Sequence, residues 1–341
     1  VSFRRWHDPR SGIASWSASP RLSEGYTAIQ NRPGLLIETH MLKNYQTRVT
    51  GTYEMLKHTM ILLNRQHKLL RQVVQKADLY TASAGFRHKP FTVQFKTAKD
   101  SVMTEFLGVD YKKVKSDLTG GTWIKYGSKP VTYKIPFFNQ QEPAVQVALP
   151  EAYIIPPEWT NIIARLQLHG VQLKQLVKPA TISVNSYRFS HAQWQQRPFE
   201  GRHTLRFKST EIEEVRTYPS GSVLIDMNQR AARVAVHILE PEAPDSYLHW
   251  GFFDTIFEQK EYAESYVMEE LARRMLDEDE NLKKEFEQKK TQDAEFAKNP
   301  RAILNWFYSQ SPYWDKRINV YPVGKLFERA VLNSLEFRPG N

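Results

Sequence analysis

The sequence predicts an α/β unit over residues 1–79, a β-rich region over 80–249 and a helical C-terminal segment with an irregular tail over 250–341. Three patterns carry this division. A short apolar run leads into a long helical pattern, alternating apolar and polar residues dominate the middle, and helical spacing returns in a charged stretch near the end. With 341 residues, 41% of them hydrophobic, the chain is long enough for two domains or for one domain with a large extension.

The α/β unit rests on two adjacent segments. Proline and glycine punctuate the first thirty residues, which are therefore predicted to form loops. The apolar run at residues 34–40 predicts a short buried strand. One apolar stripe then recurs every three or four residues and predicts a long helix; its members are Val49, Tyr53, Leu56, Met60, Leu63, His67, Leu70 and Val74. A buried strand followed by an amphipathic helix is typical of α/β folds.

The middle region is predicted to be a sandwich-like β module. Residues 91–95, 131–135 and 204–207 alternate apolar with polar side chains, and turn signals lie at 120–121 and 219–221. One helix interrupts it at residues 158–169, with Gly170 as its C-cap. From Trp250 to Phe307 a helical pattern returns, and the proline-containing tail beyond it is predicted to be irregular and to pack across the body.

Composition excludes several classes of function. The chain has no cysteine, so it has neither disulfides nor cysteine-based zinc sites. No apolar run approaches the roughly 18 residues that cross a bilayer, so no membrane span is expected. Residues 1–150 carry 22 Lys and Arg against 10 Asp and Glu, but these cations are scattered and no nucleic-acid motif accompanies them. We therefore expect no nucleic-acid partner.

Glu38 is the most informative residue of the apolar run. A carboxylate among leucine and isoleucine side chains is costly to bury unless it is paired or functional. Ligands of open α/β sheets collect at the carboxyl ends of strands, where Glu38 is predicted to lie, and His40 projects from the same face of the strand. On these grounds alone Glu38 is equally well explained as a structural acceptor of hydrogen bonds.

The sequence around Glu38 resembles a known family. The motif RPGLLIETHMLK at residues 32–43, followed by Arg48 and the long helix, looks like the last catalytic strand of large bacterial carboxypeptidase A-like zinc metallopeptidases. Segments further along resemble the C-terminal extension of that group: YIIP at 153–156, LEPEAPDS at 239–246, WGFF at 250–253 and SPYWD at 311–315. The resemblance implies that residues 1–79 are the C-terminal remnant of the peptidase domain and that 80–249 form an accessory domain.

The resemblance also implies a reaction. Glu38 matches the catalytic glutamate, which takes a proton from zinc-bound water and passes it to the leaving amine as the C-terminal peptide bond is hydrolysed. The implied cofactor is zinc, and the implied substrate is the C-terminus of a peptide or protein. His40 and Lys43 are candidate neighbours in the cleft, and structural roles are equally open for both. An extracellular or periplasmic location is expected by resemblance, although no signal region is present in this sequence.

The zinc ligands of the family, an H-x-x-E pair and a later histidine, lie well upstream of its catalytic glutamate. Here the 37 residues before Glu38 contain a single histidine, His7, so we expect the chain alone to be inactive. His237 and Glu240 have the H-x-x-E spacing but follow Glu38, and His237 is better explained as a core or interface histidine. A non-catalytic module that binds peptide, glycan or protein remains the alternative hypothesis.

Overall fold

The computed structural model describes residues 2–5 and 8–340. The N-terminal part contains two short strands and three helices: β1 (Ser2–Phe3), β2 (Ile13–Ala14), α1 (Ser23–Ile29), α2 (Tyr45–Thr81) and α3 (Ala84–Arg87). The predicted long helix is confirmed as α2, whose first turn is capped by Asn44 Oδ1 accepting from the Thr47 N–H at 2.8 Å. Helix α1 lies in the stretch predicted to be loop, since a single seven-residue helix leaves little periodic signal.

The predicted strand at residues 34–40 is wrong. This run has no strand partner among the described residues and contains no regular secondary structure. Leu35 and Leu36 are 57% and 50% exposed. An apolar run favours extended chain, but a strand needs neighbouring strands to pair its backbone N–H and C=O groups, and none of the described strands lies against it.

Four strands form the next part of the chain: β3 (Phe91–Thr97), β4 (Val102–Lys115), β5 (Thr122–Phe138) and β6 (Gln141–Val147). Strands β4 and β5 make a long antiparallel hairpin that also carries β2 and β1, in the order β1-β2-β5-β4. Strands β3 and β6 pair with each other. The predicted strands at 91–95 and 131–135 are thus confirmed.

A seven-stranded antiparallel sheet forms the centre of the molecule, in the order β10-β9-β12-β7-β11-β8-β13. Its strands, with the helices between them, are β7 (Ala152–Ile155), α4 (Thr160–Leu168), β8 (Lys174–Leu176), β9 (Ala180–Trp194), β10 (Leu205–Tyr218), β11 (Val223–Asp226), α5 (Ala232–Leu239), β12 (Gly324–Leu326) and β13 (Phe337–Pro339). Helix α4 confirms the helix predicted at 158–169. Strand β12 shows that the tail, predicted to be irregular, enters the middle of the sheet.

Helices and the two-stranded β3–β6 sheet pack against this central sheet. Tyr153 and Ile225 face one side, where they share a core with α4 and the almost fully buried α5. Ile154 and Leu224 face the other side, together with Leu332. Leu332 belongs to α10 (Arg329–Ser334). The alternation along β7 and β11 therefore separates two cores, unlike the sandwich expected from the sequence.

The C-terminal helices form a third core. They are α6 (Ser265–Glu278), α7 (Glu280–Gln292), α8 (Ala294–Ala297) and α9 (Pro300–Gln310). Each helix contributes a buried apolar side chain to one cluster: Met268, Phe286, Phe296 and Phe307. The helical segment predicted from Trp250 onward is confirmed from Ser265; the stretch before it contains one 3₁₀ turn, at Asp254–Phe257.

Candidate functional site

Glu38, His40 and Lys43 lie on one connecting segment, residues 33–44, between α1 and α2. The start of the segment is anchored by Arg32, whose guanidinium donates to both carboxylate oxygens of Asp78 at 2.9 and 3.1 Å. Asn31, at φ +58°, also donates to Asp78 Oδ1 at 3.1 Å. A Cβ on Gly34 would lie 2.2 Å from Thr27 Oγ1, so the backbone approaches α1 as closely as a glycine allows.

The segment is attached at both ends, at its start through Arg32 and at its end through Asn44, and the distance between these two points determines how extended the chain must be. From Tyr45 to Asp78, α2 rises about 50 Å. The chain from Arg32 to Asn44 reaches at most about 43 Å when fully extended. Arg32 is held near the C-terminal end of α2 and Asn44 caps its N-terminal end. Residues 33–39 therefore run back along α2 in a largely extended path before the turn at His40–Lys43, and the Arg32 and Asp78 side chains span the remaining distance.

Glu38 is exposed on this segment. Within the described part of the chain its carboxylate takes part in no hydrogen bond or ion pair. His40 and Lys43 are exposed as well, and a turn joins them through the Lys43 N–H and the His40 carbonyl at 3.0 Å. His40 Nδ1 accepts from the Leu42 N–H at 3.1 Å. The structure thus places the three predicted residues on one strand-like segment without bringing their side chains together.

The stripe that predicts α2 is largely exposed. Tyr53, Leu56 and Met60 are 60%, 51% and 69% exposed, and Leu69 and Val73 further along are 57% and 55% exposed. Met41 and Leu42, just before the helix, are exposed still further, at 78% and 81%. A contiguous apolar surface of this extent is characteristic of a face that packs against another body.

The described residues do not provide a zinc site. No group of three or more histidine, aspartate and glutamate side chains in residues 2–5 and 8–340 could hold a metal ion. His7, the histidine that precedes Glu38, lies outside the described residues. His237 and Glu240 do not form a ligand pair either. Glu240 is the first residue after α5, and its carboxylate contacts three other side chains.

Those three side chains satisfy the Glu240 carboxylate, which is completely buried. The Tyr153 hydroxyl donates to Oε1 at 2.5 Å and the Tyr187 hydroxyl to Oε2 at 2.7 Å. Lys325 Nζ lies 3.1 Å from Oε1 and donates to the Tyr187 hydroxyl oxygen at 3.0 Å. Burial and the neighbouring Glu240 carboxylate raise the pKa of both tyrosines well above the usual range. Lys325 Nζ also lies 3.5 Å from Oε1 of the half-exposed Glu211, so the network joins the core to the edge of the sheet and is fully accounted for by structural contacts.

Part of the chain is similar to fungal carboxypeptidases. The chain is 32% identical to Carboxypeptidase 2 of Trichophyton rubrum over 110 residues. This match covers 32% of this chain and 20% of the relative. Carboxypeptidase 2 of Trichophyton tonsurans is 32% identical over 102 residues, covering 30% of the chain and 19% of the relative. Probable carboxypeptidase 2 of Arthroderma benhamiae is 30% identical over 96 residues, covering 28% of the chain and 18% of the relative.

Part of this chain is related to carboxypeptidases. The chain spans about a fifth of the length of the curated relatives it matches. No protein-family model matches it, and no solved structure matches it. Among the helices of the described residues, none combines the length and the apolar character needed to cross a membrane.

Proposed function

We propose that this chain is the C-terminal part of a zinc-dependent, carboxypeptidase A-like metallocarboxypeptidase of the large bacterial type. In this proposal residues 1–79 belong to the catalytic domain and the rest is an accessory region with a helical C-terminal segment. The observation that carries it is the exposed segment bearing Glu38, which connects α1 to the exposed apolar helix α2. A relationship to carboxypeptidases over part of the chain supports the same conclusion.

The exposed apolar surface of residues 33–44 and α2 indicates that further elements of the same catalytic domain pack against it. An α/β unit buries its strand between neighbouring strands and its helix against the face of the sheet. Leu35 and Leu36 on the segment, with Leu56 and Met60 on α2, are left open to solvent instead. We infer that the remainder of the domain, supplied by another part of a longer polypeptide, covers this surface.

Glu38 is the residue to which we assign acid–base chemistry. Its carboxylate is not committed to any ion pair or hydrogen bond of the described residues, so it is free to accept a proton from an attacking water and deliver it to the departing amine. His40 and Lys43 lie two and five residues further on and would flank the same cleft. The substrate in this proposal is the C-terminus of a peptide or protein.

Zinc cannot be held by the described residues, so its ligands would belong to the covering part of the domain. The chain alone is therefore expected to be inactive. An extracellular or periplasmic location remains part of the proposal and follows only from the resemblance of the sequence around Glu38 to the metallopeptidase group.

The test is an activity assay on the polypeptide extended into the reading frame that precedes Val1. Release of C-terminal amino acids is expected from the extended protein and not from the present chain. Replacing Glu38 by glutamine in the extended protein should lower kcat by about 10²- to 10⁴-fold, the usual contribution of a general acid/base. Glu54→Gln is the matched control, because Glu54 is a carboxylate on the surface of α2.

Two results would overturn the proposal. One is an extended protein whose rate is unchanged by Glu38→Gln. The other is a preceding reading frame without a histidine-rich set of zinc ligands. Zinc-dependent release of C-terminal residues by the present chain would contradict the expected inactivity.

A further inference from the structure

A second candidate site lies away from Glu38, in a cavity of about 500 Å³ between the loop at residues 17–20, α1, β3 and α5. Most of its wall is apolar and includes Ile29, Phe91 and Pro244. Two polar side chains of α5 also line it, Arg233 and His237. They are four residues apart and therefore lie on the same face of the helix.

His237 is buried without a partner. The residue is 8% exposed, and its Nδ1 atom is inaccessible and forms no hydrogen bond. The edge of the Phe91 ring packs against the imidazole, with ring centroids 5.6 Å apart and planes at 77°. Burial lowers the pKa of His237 to about 4, so the ring is neutral near pH 7. A buried polar atom without a hydrogen-bond partner is destabilising, and native proteins contain few of them.

Arg233 is a half-buried cation without a carboxylate. Its Nε donates to Thr81 Oγ1 at 3.3 Å, and its guanidinium carbon lies 5.4 Å from the centre of the Phe86 ring. No carboxylate of the described residues forms an ion pair with it. Burial lowers the pKa of Arg233 from its usual value, yet no acidic group compensates the charge. Its two terminal nitrogens take part in no hydrogen bond among the described residues.

The chemistry of this wall selects one class of ligand. A guanidinium offers two parallel N–H donors that match the two oxygens of a carboxylate. A single cation beside a neutral imidazole balances one negative charge and leaves a phosphate dianion undercompensated. The apolar surface of Ile29 and Phe91 suits a hydrocarbon body attached to that carboxylate.

We propose that this cavity binds a small carboxylate with an apolar body, its charged end on Arg233 beside the imidazole of His237 and its body against Ile29 and Phe91. The inference goes beyond the proposed peptidase function, because it uses none of Glu38, His40 and Lys43. It also supplies a specific observation for the alternative hypothesis of a binding module. Binding is measured on this chain without any peptidase activity, so either proposal can fail without the other.

The experiment titrates the chain with 3-phenylpropanoate and, separately, with the uncharged 3-phenylpropanamide. Isothermal titration calorimetry gives the affinities, and ¹⁵N NMR of labelled imidazole follows His237. We expect saturable binding of the carboxylate, at least about tenfold weaker binding of the amide, and a shift of the His237 nitrogen signals only with the carboxylate.

Arg233→Gln and His237→Phe should each weaken the carboxylate complex, Arg233→Gln by about tenfold or more. The control is Arg206→Gln, which removes an exposed guanidinium on β10 and should leave affinity unchanged. Equal affinities for carboxylate and amide, or no saturable binding of either, would overturn the proposal. That comparison uses the unaltered chain and holds even if a variant fails to fold.

Discussion

The ammonium group of Lys325 lies 3.1 Å from Glu240 Oε1, although the two residues are only 2% and 0% exposed. Lys325 belongs to β12, in the middle of the central sheet, and Glu240 follows α5 in the core. The pair therefore ties the C-terminal strand to the helix that covers the sheet. The hydroxyl groups of Tyr153 and Tyr187 complete the coordination of the carboxylate.

Replacing Lys325 by methionine should destabilise the protein by about 3–5 kcal/mol. The change keeps most of the side-chain volume but leaves the Glu240 carboxylate buried without its counter-charge, and breaking a buried pair on one side has this cost. Urea unfolding at pH 7, followed by tryptophan fluorescence, measures the loss of free energy of unfolding.

The control for this prediction is the double variant Lys325→Met with Glu240→Gln. It removes both charges, and the new amide at position 240 can accept from one tyrosine hydroxyl through its oxygen and donate to the other hydroxyl through its NH2 group, so much of the lost stability should be recovered. If the double variant is as unstable as the sum of the single variants, the two charges do not interact in the folded state.

The sequence predicts those features that depend on residues close together in the chain, and it misses contacts between residues that are far apart in the chain. Helix α2 follows from its own periodicity and from the Asn44 cap, both of which are read within a few residues. The H-x-x-E spacing of His237 and Glu240 gives no indication of the side chains that contact the Glu240 carboxylate. Lys325 lies 85 residues from Glu240 along the chain, and nothing in the short motif Gly324-Lys325-Leu326 marks it as buried.

The prediction of a strand at residues 34–40 is wrong for a related reason. The apolar side chains of this run would be stabilised by burial. A strand also needs neighbouring strands to pair with, and the sequence of the run does not specify them. The run keeps an extended path beside α2 while Leu35 and Leu36 remain exposed. The candidate role of Glu38 therefore rests on the resemblance of the sequence around it and not on burial in a strand.

Charged substitutions on the exposed stripe of α2 should leave the stability of this chain almost unchanged but should prevent assembly of the proposed catalytic domain. Leu56→Glu and Met60→Glu should change the free energy of unfolding of the present chain by less than about 0.5 kcal/mol, because both side chains are already half exposed or more. In the extended polypeptide the same changes should abolish peptidase activity, since a charge would be buried against the sheet.

Leu107→Glu is the control for that pair. Leu107 is 81% exposed on β4, outside the α/β unit, so both stability and activity should persist. Full activity of the Met60→Glu extended protein would show that α2 does not pack in this way. Urea unfolding and the release of C-terminal amino acids provide the two measurements.

The ion pair between Arg32 and Asp78 should govern the order of the segment that carries Glu38. Burial works to raise the pKa of Asp78, but hydrogen bonds from Arg32 and Asn31 outweigh it and keep the pKa below its ordinary value. Arg32→Ala removes one anchor of residues 33–44. Because partly exposed pairs contribute up to about 1 kcal/mol, cleavage of this segment in limited proteolysis should become about two- to fivefold faster.

The comparison for Arg32→Ala is Lys57→Ala, which breaks a surface pair with Glu54 on α2 and should leave cleavage of residues 33–44 unchanged. Peptide mapping by mass spectrometry locates the cuts. Equal cleavage rates for the two variants would mean that the Arg32–Asp78 pair does not hold the segment.

The unpartnered His237 should make the stability of the protein depend on pH between about 4 and 6.5. Burial lowers the folded-state pKa of His237 to about 4, whereas an unfolded histidine titrates near 6.5. Between these values the unfolded chain binds more protons than the folded one, so stability is fully present above about pH 6.5 and is lost as the pH falls toward 4. From pH 7 to pH 5 the loss from this residue is about 2 kcal/mol.

His237→Phe tests this linkage directly. The variant keeps an aromatic ring against Phe91, removes the unsatisfied Nδ1 atom and cannot protonate, so its free energy of unfolding should fall by about 2 kcal/mol less than that of the unaltered chain from pH 7 to pH 5. His58→Phe replaces an exposed imidazole on α2 and serves as the matched control. A pH slope of His237→Phe equal to that of the unaltered chain would show that His237 is solvated in solution and would contradict its buried position on α5.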